Sequence, residues 1–363
     1  IFVRNNKDGY IAITGNIVKD NNQESGVGAP TSRGLIGQNA TDGIELNICR
    51  GGVNLGEDGF TDEIAGACSS NASLTAVVSN SVVTNLQGQA DGIDTNVGDN
   101  GTLNLTVKGN TVTGVGDEGF TLDVFGADTS VTATISDNVF KTSGAKGART
   151  DTDGNYDEDG STDGIAITLQ ENVSDTDFTA DGEYDFTITG NTIVADTDNL
   201  AGTNEKPEKA EGIKFTVGEK LRAGRLALKV SIEDNTIQTR AGDGIEFDTL
   251  TEAEGTANVD YDVSIRNNTI TQTNDAKQAG SADDGETKDL INIYFSENED
   301  NQAATDNTYV TGQFTIENNT LKTNEGNGEM GDAIQIEGIG ASNKTSVKVT
   351  VKNQVQDQAV KII

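Results

Sequence analysis

Residues 155–163 read N-x-D-x-D-G-x-x-D, with side-chain oxygens on Asn155, Asp157, Asp159 and Asp163. Oxygen donors on alternate residues, a glycine for a sharp turn and a further carboxylate are what a hard cation such as calcium requires. The position that would close the shell with a bidentate acid is Ala166, and Asp151 and Asp153 offer a second register. Calcium is therefore the cofactor the sequence suggests; the competing reading is an acidic insertion facing water. Acids are so numerous, 59 in all, that pairs suited to glycoside hydrolysis single out no position. The densest basic run spans Lys206 to Lys229, with Lys220, Arg222 and Arg225 between, and reads as a solvated strand edge. No catalytic residue stands out. Cys49 and Cys68 are candidates for one disulfide, which would suit an extracellular setting, or are two unrelated buried thiols.

The net charge of −34 narrows the partners. A field this negative repels nucleic acid and anionic membrane surfaces, and suits a salty or calcium-rich exterior. No stretch reaches ~18 apolar residues, so no membrane insertion is expected. No signal peptide is visible and residue 1 is Ile, so the chain reads as mature, cut or excerpted from a longer one. High charge with 5% aromatics can mean disorder. The clean period-2 alternation of β-branched residues argues instead for half-buried strands.

Those strands recur around one residue. Asn16, Asn80, Asn110, Asn138, Asn191, Asn235, Asn268 and Asn319, and less cleanly Asn353, follow alternating runs such as Leu103-x-Leu105-x-Val107. Two residues after each comes an apolar side chain, as in Val18, Val82, Val112 and Ile193, with Val355 after Asn353. Three residues before all but the last comes an apolar β-branched one, as in Ile13, Val77, Val107 and Ile188. This is a strand, a tight turn at Asn and a second short strand. Thr111, Thr192, Thr236, Thr269 and Thr320 then point outward as ordinary strand residues.

A second motif interleaves: Asp42-Gly43-Ile44, Asp58-Gly59-Phe60, Asp91-Gly92-Ile93, Glu118-Gly119-Phe120, Asp163-Gly164-Ile165, Glu211-Gly212-Ile213 and Asp243-Gly244-Ile245. Degenerate copies follow at Asp289-Leu290-Ile291 and Asp332-Ala333-Ile334. Repeating strand units with no helix between them predict a β-solenoid. The recurring Asn would form a ladder inside it, pairing turn groups otherwise buried without partners. Asn110 to Asn138 is 28 residues and Asn138 to Asn191 is 53; the excess is polar insertion at a corner, which costs little entropy. The long interval from Asn16 to Asn80 is expected to hide an extra irregular coil containing Cys49.

These [DE]-G-[IF] turns and V/I-x-x-N-x-[IVL] units resemble the right-handed, single-stranded parallel β-helix of the pectate-lyase-like superfamily, over nearly the whole chain. The local run at 155–163 is similar to the first part of an EF-hand or dockerin-type calcium loop. The superfamily resemblance implies one all-β domain over residues 1–363 with irregular loop insertions. About nine or ten coils at ~4.8 Å each would give a rod of about 45 Å. The superfamily holds lyases, hydrolases, tailspikes and adhesins, so the resemblance implies no single function. The absence of His counts against its polygalacturonase and epimerase patterns. Both ends read as uncapped coil strands, able to continue into more chain or to pair head to tail with neighbours. The expected function is an extracellular structural or adhesive surface protein. It would be calcium-associated and self-assembling into a filament or lattice, with copies of itself, other surface proteins or polysaccharide as partners. The alternatives are a polysaccharide lyase or hydrolase of the same fold, and a glycan-binding adhesin region.

Overall fold

The computed structural model describes residues 1–5, 8–19, 42–48, 53–55, 60–62, 72–84, 86, 91–98, 100–115, 118–125, 128–142, 163–171, 178–179, 181–195, 210–240, 242–273, 289–295, 309–324, 332–338, 345–356 and 359–362. Every regular element among them is a strand. The strands wind as a right-handed parallel β-helix, each coil contributing to three faces. Sheet 1 carries the strands opened by the acid–Gly turns, stacked as 2–5, 44–48, 93–97, 120–125 and onward to 360–362. Sheet 2 stacks 9–14, 72–79, 101–108, 129–136 and onward to 345–352. Sheet 3 is the nine-stranded sheet of short strands from 17–19 to 355–356. Sheets 1 and 2 merge where Ile213–Glu233 and Ile245–Arg266 run through the corner without a break.

Alternation fixes which side chains face in. On sheet 1 the column Ile44, Ile93, Phe120, Ile165, Ile213, Ile245, Ile291 and Ile334 is fully buried. On sheet 2 the column Val78, Val107, Ile135, Ile188, Ile232, Ile265 and Ile316 is equally buried. Aromatic rings are committed to this core: Phe215 and Phe247 stack in parallel at 4.7 Å, with Phe186 and Phe314 edge-on to them. The buried Tyr184 and Tyr261 hydroxyls each meet a threonine hydroxyl at 2.7 Å, which satisfies their one polar atom.

The turn between sheets 2 and 3 is the same in every coil. Its first residue has a left-handed backbone: Gly15, Asn80, Gly109, Asp137, Gly190, Asp234, Asn267, Asn318 and Asn353 all have φ between 51° and 68°. Only Gly, Asn and Asp, the types that tolerate this region, occur there. The next residue points inward. Asn110 shows the full pattern. Its Nδ2 donates to the Val78 carbonyl and to Asn138 Oδ1, both at 2.9 Å. Its Oδ1 accepts the Ser81 backbone N–H at 2.9 Å. Asn138, Asn191, Asn235 and Asn268 repeat the two donations one coil further each time, and Asn319 ends the run by donating to the Ile265 carbonyl.

Three expectations need correcting. Asn80 is not in this ladder: it is exposed and occupies the left-handed position, while buried Ser81 takes the inward place and Val78, not Val77, fills the core column. Asn353 is displaced in the same way, with Gln354 inward, donating to the Ile316 carbonyl at 2.8 Å. Asn16 does hold the inward position, its backbone N–H donating to Ser81 Oγ at 3.3 Å. Second, the interval after Asn16 holds no extra coil on sheets 2 and 3, because 9–14 pairs directly with 72–79 and 17–19 with 82–84. The antiparallel pair 53–55 and 60–62 lies within that interval. Third, length varies at two corners: between sheets 3 and 1, as at 143–162, and between sheets 1 and 2, as at 296–308. The ladder corner stays invariant.

Candidate functional site

The acid–Gly turn forms a second ladder. Asp42 Oδ1 accepts the backbone N–H of Asp91 at 3.0 Å, Asp91 Oδ1 that of Glu118 at 3.1 Å, and Asp163 Oδ1 that of Glu211 at 2.8 Å. Asp243 and Asp289 accept the next coils' N–H groups at 2.5 Å. The glycine that follows is dictated by space. A Cβ on Gly164 would lie 2.6 Å from the Gly212 carbonyl oxygen and would also strike Ile193. The corner is therefore tight, and acids are stacked at about the 4.8 Å coil spacing along one edge of sheet 1.

Beside that edge, the outward column one residue past the core Ile reads Glu45, Asp94, Thr121, Ala166, Lys214, Glu246, Asn292 and Gln335. In its middle, Lys214 sits among Asp163, Glu211, Glu246 and Asp248. Burial alone would lower the Lys214 ammonium, but these acids outweigh it and hold it above its ordinary value. Its Nζ lies 3.9 Å from Glu246 Oε2, too far for a hydrogen bond. Glu246 Oε2, Asp163 Oδ2 and Glu211 Oε2 are all buried without a hydrogen-bond partner. Burial, followed by the charge of Glu211, pushes the Asp163 carboxyl well above the usual range; burial and the same Glu211 charge do so for Glu246. Asp289 is pushed up to about 6, chiefly by burial. A carboxyl that holds its proton more tightly than usual beside a lysine is suited to proton transfer, and strongly perturbed groups of this kind cluster at working sites.

These shifts set the sign of the pH response. Each of these carboxyls binds its proton more tightly folded than unfolded. Their stabilising effect is complete in acid and is lost as pH climbs from the ordinary carboxylate range through the raised folded values. The chain is thus expected to melt at a higher temperature at about pH 5 than at about pH 8 in chelator-containing buffer. Scanning calorimetry at the two values checks this; equal or reversed melting points would contradict it.

Of the proposed calcium ligands, only Asp163 is among the described residues. It is fully buried in the acid–Gly ladder rather than held out on a loop; Asn155, Asp157 and Asp159 lie outside the described residues. So do Cys49 and Cys68. Arg225 and Lys229 of the basic run are exposed on sheet 2 and pair across coils with Asp260 at 3.1 Å and Asp185 at 2.7 Å. Lys229 lines a shallow, polar depression on this face with Thr132, Asp185 and Asp262. Lys206 lies outside the described residues. Sequence reading missed Lys214 and Glu246. The signal was available: aligning the coils on the acid–Gly turn puts both in the first outward position.

Among the described residues no helix is long and apolar enough to cross a membrane. No family model, curated protein or solved structure matches this chain.

Proposed function

We propose that this chain is a structural or adhesive element of an extracellular surface, a stiff acidic rod of the pectate-lyase-like kind whose carboxylates are neutralised by calcium and which associates end to end. One observation carries the reading: side-chain order is spent on holding coil to coil. Two hydrogen-bonded ladders, one of amides and one of carboxylates, run along the axis, and Phe186, Phe215, Phe247, Phe314 and Tyr261 pack against one another inside rather than lining a sugar groove, leaving Tyr10, Tyr294 and Tyr309 as scattered exposed rings. The outer rungs support association, since the 9–14 and 345–352 strands pair on one side only among the described residues. Exposed Tyr10, Ile17 and Val355 lie on these outer rungs. Such edges accept another β-helical coil, from further chain or from a second copy.

A second reading, cleavage of an acidic polysaccharide, is favoured by the convergence of Lys214 with Asp163, Glu211 and Glu246 on one outer face. Electron microscopy of the purified chain in millimolar calcium, paired with incubation on polyuronates, separates the two. Filaments or sheets without product are expected. Dispersed rods that release unsaturated uronate would replace the structural reading with the catalytic one.

A further inference from the structure

Near the end of sheet 1 that holds the 2–5 and 44–48 strands lies a cluster with a different balance. Asp42, Glu45 and Asp94 each offer a carboxylate oxygen, and these atoms all lie within 4.8 Å of one another. The residues come from adjacent coils, since Glu45 pairs in register with Asp94. Asp94 is only 8% exposed although it projects from the outer face. Two amides orient the carboxylates: Asn96 Nδ2 donates to Asp94 Oδ2 at 2.7 Å and Asn47 Nδ2 to Glu45 Oε1 at 2.5 Å. Burial, then the charges of Asp42, Asp91, Asp123 and Glu45, drive the Asp94 carboxyl well above its usual range.

Two further atoms point to a ligand. Asn47 is 1% exposed and Thr121 is 8% exposed, and both Asn47 Oδ1 and Thr121 Oγ1 are buried with no hydrogen-bond partner. Thr121 stands in register directly beside Asp94, between the core residues Phe120 and Leu122, so its hydroxyl lies on the carboxylate side of the sheet. The Asn47 amide is anchored on Glu45 through its nitrogen, which leaves its oxygen next to the same cluster. Buried polar atoms without partners are rare and call for an explanation. Three carboxylates, one amide oxygen and one hydroxyl, without nitrogen or sulfur, are the ligand chemistry of a hard divalent cation.

We propose that Asp42, Glu45 and Asp94, completed by Asn47 and Thr121, bind one calcium ion that pins three successive coils together. Water fills the rest of the shell, since calcium takes roughly six to eight oxygens and tolerates irregular geometry, whereas magnesium demands near-octahedral order. The site deepens the calcium association of the proposed function and rests on that reading only for the choice of ion; end-to-end assembly is independent of it.

The test is calorimetric titration of the chelator-treated full chain with calcium chloride, alongside thermal melting. The wild type is expected to bind an equivalent that Asp94→Asn and Glu45→Gln each lose, and that Thr121→Val weakens about tenfold. Asp94→Asn should also melt higher than wild type without calcium, because it removes a buried like charge, so loss of binding would not reflect misfolding. Arg4 is the basic residue nearest in the pairing, in register with Asn47; Arg4→Gln should keep the equivalent. A double variant, Asp157→Ala with Asp159→Ala, isolates calcium held elsewhere. Unchanged stoichiometry and affinity in Asp94→Asn overturns the site. Binding abolished by the Asp157/Asp159 double variant alone overturns it as well, while leaving calcium association intact. No calcium binding in any form overturns both.

Discussion

Asn191→Ala is expected to destabilise the chain by about 3–5 kcal/mol, because the Asn138 backbone N–H and the Ile135 carbonyl lose this partner at ~1–3 kcal/mol each, and Asn138 Nδ2 keeps only its bond to the Val107 carbonyl. The backbone N–H and the Nδ2 of Asn138 both donate to Asn191 Oδ1 at 3.0 Å, and the Ile135 carbonyl accepts from Asn191 Nδ2 at 2.9 Å. Alanine supplies none of these and no water reaches the position, which is 1% exposed. The local geometry survives, since Gly190 keeps the left-handed turn at φ 66°. Asn191→Ser provides an internal scale. Ser81 shows that a hydroxyl can stand in this column, accepting one backbone N–H and donating to the Ser79 carbonyl at 3.3 Å. The serine variant should therefore fall between wild type and alanine. Urea midpoints measure the series. An alanine variant within ~0.5 kcal/mol of wild type, the range of an ordinary surface change, would mean that the ladder contributes register and little energy.

Lys214→Met is expected to cost about 3 kcal/mol at neutral pH, the low end for breaking a buried ion pair, because 28% of the lysine side chain still reaches water. The lysine charge is what lowers Asp163 and Glu246 against the stronger upward push of burial. Without it their folded values rise further, so the variant takes up protons more strongly on folding. Its deficit should shrink steadily on acidification, and stability should fall more steeply with rising pH than in wild type. Chemical denaturation across the pH range reads both effects. A deficit that does not change with pH would show that methionine disturbs packing rather than charge.

The coil itself was legible because its core columns and its inward Asn share one spacing. Asn110, Asn138, Asn191, Asn235, Asn268 and Asn319 are each preceded by Gly, Asp or Asn and followed by a core residue two positions on. The misplacement of Asn80 shows the limit of that signal. Asn suits the left-handed position and the inward position for different reasons, torsional tolerance in one and a bidentate amide in the other. Only the core column resolves the ambiguity in Ser79-Asn80-Ser81: Val78 is buried, so the inward polar residue is Ser81. The extra coil expected after Asn16 failed because length was equated with turns of the helix, whereas pairing shows one coil carrying large insertions. Lys214 and Glu246 were hidden because charge was counted along the chain. Their neighbours belong to other coils, 32 residues apart in sequence yet side by side in register.

The strict stacking has one more consequence. Apart from the short hairpin, every described strand pairs only with the coil before and the coil after, so stability accumulates like links in a chain rather than around a centre. Ile11 and Val18 at one end, and Val347, Val349 and Val351 at the other, are only partly buried, while the middle coils are sealed. Opening therefore begins at the outer coils and travels inward. Amide exchange should trace a gradient along the rod, fastest at its two outer rungs and slowest around Asn191 and Asn235.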